Sequence, residues 1–187
     1  MNWNRPEPSA SRFLLFVLLA AALPAEVPAQ VEASHPVVPG RYPTRNGMWF
    51  SAGLGTGGDG TDFGGVSGNF ALGGTANQHL LLGVGSSDWR VAADRTVATI
   101  GTLDLRTQFY PEANGGFFLT GGLGLGFFRM DDSGSGPDVG SGLVLGLGFD
   151  ARVATNTSIT TFINRVGFHT SDPRGNFIQL GLAVTAH

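Results

Sequence analysis

The stretch Tyr110-Pro-Glu-Ala-Asn-Gly-Gly-Phe-Phe-Leu-Thr-Gly-Gly-Leu-Gly-Leu-Gly-Phe-Phe-Arg-Met130 alternates residue by residue once its Pro/Asn/Gly opening is past. Phe117, Leu119, Leu123, Leu125 and Phe127 fall on one face, and Thr120, Gly122, Gly124 and Gly126 on the other. That periodicity is the side-chain repeat of a β-strand. A broad apolar face backed by glycine suits a strand with lipid on one side and a crowded barrel interior on the other.

The same alternation recurs on both sides of this stretch. Upstream, Val97, Thr99, Leu103, Leu105 and Phe109 oppose Ala98, Thr102, Asp104, Arg106 and Gln108. Downstream, Leu143, Leu145, Leu147, Phe149 and Val153 oppose Gly142, Gly146, Gly148, Asp150 and Arg152. Charge is confined to one side of each. Shorter alternating runs begin at Met48, Val66 and Leu80, a muddier one spans 159–170, and a last sets Ile178, Leu180, Leu182 and Val184 against Gln179, Gly181, Ala183 and Thr185. Polar or glycine-rich segments at 57–65, 89–95, 131–140 and 171–175 read as loops, and turns are expected at 76–78, at Tyr110-Pro111 and at 154–157.

The tally is about eight strands, near the roughly 9–11 residues that a tilted strand needs to cross hydrocarbon. The turns after strands two, four and six look tight and most of the others longer, as expected for a membrane barrel with both termini on the periplasmic side. The fold class is therefore all-β, an eight-stranded antiparallel up-and-down transmembrane β-barrel over residues 47–187. A soluble β-sandwich also alternates. It would have to bury glycine, Asp and Arg here and expose nearly every large apolar residue, which disfavours it.

Ahead of the barrel, Arg5 and Arg12, the apolar run Phe13–Leu23 and Val27-Pro28-Ala29 have the order of a secretory signal, with residues 1–29 removed before Gln30 or a cut after Ala33. The run is about half of the roughly 20 residues that a spanning helix requires. Residues 30–46 are proline-rich and aperiodic, a periplasmic lead-in. Cysteine is absent, which rules out disulfides and thiolate metal sites, and the net charge of -3 gives no reason to expect a nucleic-acid partner. Glycine is in excess, 30 of 187 residues, without the three-residue period of collagen.

The pattern over the whole segment from Gly47 to His187 resembles the small outer-membrane β-barrel superfamily that includes the OmpA transmembrane domain, OmpX and OmpW-like proteins. The Tyr-Pro turn followed by Gly-Phe-Phe-Leu-Thr-Gly-Gly-Leu-Gly-Leu-Gly carries most of the likeness. The resemblance implies an exported, monomeric protein in contact with outer-membrane lipid and lipopolysaccharide, delivered by the barrel-assembly machinery. Members commonly end in an aromatic residue, whereas this chain ends Val184-Thr185-Ala186-His187.

Chemistry is sparse. Asp104, Arg106, Gln108, Asp150, Arg152 and Arg165 are assigned to the inward face, where charges with little water must pair across the lumen. The first five are expected at similar depth, as a salt-bridged plug that leaves the barrel closed; the alternative is a small passive pore or transporter. The one hint of catalysis is His169-Thr-Ser171-Asp172, similar to the His-x-Ser signature of outer-membrane lipid A deacylases, in which Ser is nucleophile, His its base and a carboxylate orients the His. The following Ala-Gly of that family is missing, and alternation assigns His169 to the lumen. His35, His79 and His187 are scattered, so no metal or other cofactor is expected. Asp131, Asp132 and Asp138 read as a solvated loop rather than a Ca²⁺ site.

Overall fold

The computed structural model describes residues 45–60, 63–93, 96–131, 136–170 and 174–187, and the side chains of all of these except Ala93 and Arg174. The signal segment, most of the lead-in, Ser171 and Asp172 lie outside them. Eight strands follow in order: β1 Met48–Gly58, β2 Phe63–Asn77, β3 Leu80–Ala93, β4 Thr96–Phe109, β5 Phe117–Met130, β6 Asp138–Ala154, β7 Thr157–His169 and β8 Arg174–Ala186. Each pairs antiparallel with the next, and β1 pairs with β8, so a single sheet closes into a barrel with no free edge. No described helix is long and apolar enough to cross a membrane, a statement that does not bear on spanning strands.

Both strand termini lie at one end, since Phe50 stands opposite Ala186; this terminal end also carries the connections after β2, β4 and β6. The loop expected at 89–95 is smaller than its composition suggests. Trp89 and Arg90 continue β3 because their ladder with Ile100 and Thr99 is unbroken. Likewise, Asp138 already pairs with Phe128. The expected contrast between tight and long connections therefore fails in two places. Tyr110–Gly116 is among the longer connections although it lies at the terminal end, while only residues 94–95 separate β3 from β4.

Faces follow the alternation. Leu105, Leu123, Leu125, Leu145 and Leu182 point outward and are more than half exposed. Phe50, Phe109, Phe117 and Phe149 add rings to the outer face toward the terminal end. Inside, Trp49, Ala71, Leu81, Tyr110 and Phe118 form one buried apolar cluster. A second consists of Val144, Val166 and Phe177, with Trp89 and Ile100 packed against it. The glycines make room for these rings. A Cβ on Gly148 would run into the Phe118 ring, one on Gly181 into Phe162, and one on Gly175 into Phe168. Each lost methyl permits a larger partner at the density that barrel interiors require.

The muddy alternation of β7 resolves the same way. Phe162, Asn164, Val166 and Phe168 are buried inside, and Ile159, Ile163, Arg165 and His169 are exposed. Arg165 stands opposite Leu145 and Ile178, and His169 opposite Ser141, partners that share a face across each ladder. Both expectations for these residues are thus reversed: Arg165 and His169 face outward. Apolar residues occupy both phases of β7, so its own sequence does not fix the phase. The bulky rings that fit over inward glycines do.

Candidate functional site

The interior polar residues fall into two groups rather than one plug. In the first, Arg106 Nε donates to Asp104 Oδ1 at 2.6 Å and its Nη2 to Oδ2 at 2.8 Å, a two-pronged ion pair along β4. The guanidinium also donates to Ser87 Oγ (3.2 Å) and Asn69 Oδ1 (3.3 Å), and Thr102 Oγ1 donates to Asp104 Oδ2 (3.2 Å). Both side chains are at most 1% exposed. Residues two apart on a strand share its inner face, and that spacing brings this pair together. Gly85 and Gly122 flank it, and a Cβ on either would meet the Arg106 guanidinium or the Asp104 carboxylate. Nearby, Gln179 Nε2 donates to the Gly68 carbonyl at 2.6 Å and Asn164 Nδ2 to Gln179 Oε1 at 3.3 Å.

The second group closes around Asp150 at the terminal end. Tyr110 Oη donates to Asp150 Oδ2 at 2.8 Å, Thr160 Oγ1 to Oδ1 at 2.6 Å, and His187 Nε2 lies 3.5 Å from Oδ2. Thr160 passes the network to Thr185, which donates to Ser51 at 2.9 Å. Gln108 joins only through a long contact of 3.4 Å from Tyr110. Arg45, just ahead of β1, lies over the Tyr110 ring with its Cζ 3.4 Å from the centroid. Its Nη1 and Nη2 donate to the carbonyls of Ala113 and Gly115 at 2.9 and 2.7 Å. Burial, then the Asp150 charge, raise the Tyr110 pKa well above that of a free tyrosine, so the phenol stays a donor.

Two members of the expected cluster are elsewhere. Arg152 is inward but only partly buried, and its guanidinium donates to the Ala154 and Thr155 carbonyls of the β6–β7 turn rather than joining Asp104 and Arg106. Arg165 is on the outer surface. The deacylase-like set does not assemble among the described residues, because His169 faces outward while Ser171 and Asp172 lie outside them. No group of three or more His, Cys, Asp or Glu among the described residues could hold a metal. Sequence reasoning missed Arg45, Tyr110 and His187. Tyr110 was legible only as a turn residue, and the other two sit outside any alternating run.

No family model matches the sequence, and no curated protein does. Solved structures do match. The attachment invasion locus protein Ail of Yersinia pestis aligns with 75% of this chain and 99% of its own, at a TM-score of 0.54 and 14% identity. Neisserial surface protein A aligns with 74% of this chain and 94% of its own, at a TM-score of 0.52 and 15% identity. The chain has the fold of the small eight-stranded outer-membrane β-barrels. At such identities what the likeness shows is the fold, the closed eight-stranded sheet.

Proposed function

We propose that the protein is a non-enzymatic outer-membrane β-barrel that reinforces the envelope and presents its far-end connections to the surroundings, with a lumen closed by its own side chains. The observation that carries it is the pairing of an apolar outer face with an interior occupied by rings and by the Asp104–Arg106 and Asp150 networks. Eight strands enclose about enough room for side chains and no more, which favours a packed barrel over a pore. Residues 1–29 act as a cleaved export signal, and the terminal end, with both strand termini and the Arg45 contacts, faces the periplasm. Lipid and lipopolysaccharide surround a monomer, and the barrel-assembly machinery receives a C-terminal strand that ends without an aromatic residue. Among the far-end connections, Asp59-Gly60 and Asp131 supply the acidic, glycine-rich character suited to contacts outside the cell.

Two measurements test this. Membrane fractionation of expressing cells should find the mature protein in the outer membrane, migrating faster unheated than boiled, as intact barrels do. In planar bilayers the purified barrel should carry no steady current; ohmic conductance abolished by blocking the lumen would establish a pore instead.

A further inference from the structure

The outward position of Arg165 is the feature that neither the fold nor the filled interior accounts for. Most strand positions on this face show leucine, valine, isoleucine and phenylalanine, with Asp88 and Arg90 together on β3, and an arginine among apolar neighbours is costly unless its head group reaches a polar layer or a counter-charge. Arg165 has a path. The next outward residue on β7 is Gly167, where an added Cβ would find nothing nearer than the Leu143 carbonyl at 4.0 Å. The resulting groove, about 530 Å³, runs from Leu145 and Arg165 past Gly167 to Ser141, His169 and Asn176 at the far end.

Charge separates this groove from another on the barrel's outer surface. Across β3–β5, Arg90 and Arg129 flank Thr99, but acidic residues accompany them: Asp88 lies two residues before Arg90, and Asp131 is 3.6 Å from Arg129. Among the described residues, the outward positions of β6–β8 from Ser141 to Leu147, Ile163 to His169 and Asn176 to Leu180 carry no carboxylate. The β3–β5 groove is charge-balanced, whereas the one beside Gly167 carries Arg165 above an apolar floor of Leu123, Leu143 and Leu145.

The geometry points to a binding site for a phosphate-bearing lipid of the outer leaflet, with acyl chains against the leucines and the phosphate on Arg165. A guanidinium presents paired donors in the fork that matches phosphate oxygens, which a surface of isolated hydroxyls would not. Gly167 keeps the approach open, and Asn176 and Ser141 supply neutral donors beside it. This rests on the outer face lying in lipid, as proposed above.

The test uses the full barrel in neutral-detergent micelles, with binding read by native mass spectrometry for lipid A carrying its phosphates, for its dephosphorylated form and for inorganic phosphate. The site predicts phosphate-dependent retention of the lipid, weakened about tenfold by Arg165→Gln, as loss of a charge-assisted contact implies. Filling the groove with Gly167→Val should weaken it similarly, while Arg129→Gln in the balanced groove should not. Equal binding of the dephosphorylated lipid, or loss no greater in Arg165→Gln than in Arg129→Gln, overturns the site. Inorganic phosphate bound as well as the lipid would overturn the lipid assignment. Failure to enter membranes in the fractionation above would instead overturn the membrane reading, so the two failures are separable.

Discussion

Removing the Asp104 carboxylate should be among the most damaging changes that this barrel can suffer. Asp104→Ala leaves the Arg106 guanidinium, on a side chain 1% exposed, with only the neutral oxygens of Ser87 and Asn69 at 3.2 and 3.3 Å. An uncompensated buried charge costs about 3–5 kcal/mol, and Arg106→Leu, which strands the carboxylate with Thr102, should cost a similar amount. The double variant Asp104→Ala/Arg106→Leu removes both charges. Its cost reduces to a partly filled space and should stay within about 2 kcal/mol of wild type, so the two single changes are far from additive. Urea unfolding in lipid vesicles, followed by the emission of Trp49 and Trp89 inside the barrel, reads all three stabilities. Single substitutions that each cost under about 1 kcal/mol and simply add would be the behaviour of an exposed pair. That outcome would refute a dry, packed interior and with it the closed lumen.

Three further outcomes are expected. Gly85→Ala should cost about 1–3 kcal/mol by crowding the Arg106 guanidinium, and the penalty should largely vanish in an Arg106→Leu background, as a double-mutant cycle will show. Arg45→Ala, losing a ring contact and two donated hydrogen bonds, should destabilise by about 2–3 kcal/mol and speed amide exchange at Gly115 first. The third concerns pH. Because the Tyr110 pKa is raised in the folded state, its contribution is complete below the ordinary tyrosine pKa and falls as pH rises beyond it. Unfolding free energy should therefore decline above about pH 10 by up to about 1.4 kcal/mol per unit, and Tyr110→Phe should flatten that slope. All eleven cationic residues are arginine, so lysine titration will not obscure it.

The architecture was legible because alternation on β4, β5, β6 and β8 carried aliphatic residues on one phase and small or charged residues on the other. Where both phases were apolar, as in Ile159-Thr-Thr-Phe162-Ile163-Asn-Arg165-Val166, the local pattern could not choose. Choice fell to long-range packing of Phe162 and Phe168 over glycines on other strands, which no single-strand periodicity contains. The Asp104–Arg106 pair was visible because its members are two residues apart on one strand. The Asp150 network was only half visible, since Tyr110, Thr160 and His187 come from three separate parts of the chain. Arg152 lies on the expected inward phase but has other partners than expected, because its guanidinium donates to the carbonyls of its own turn.

The ladder between β1 and β8 has a bearing on how the barrel is made. Seven of the eight pairings are hairpins of neighbouring strands, formed between residues close in the chain. The eighth joins Phe50 to Ala186 and Gly58 to Ile178, the widest separation available. Loop-closure entropy places such a contact late, after the hairpins have zipped. Until then β1 and β8 are both open edges, able to template strands of other chains. The seam also brings Thr185 to Ser51 and His187 to Asp150, so the terminal network is completed only when the ring shuts. A chain shortened by its last few residues would lose both the seam and that network. Its signature should be slow, aggregation-prone assembly rather than a slightly weaker barrel.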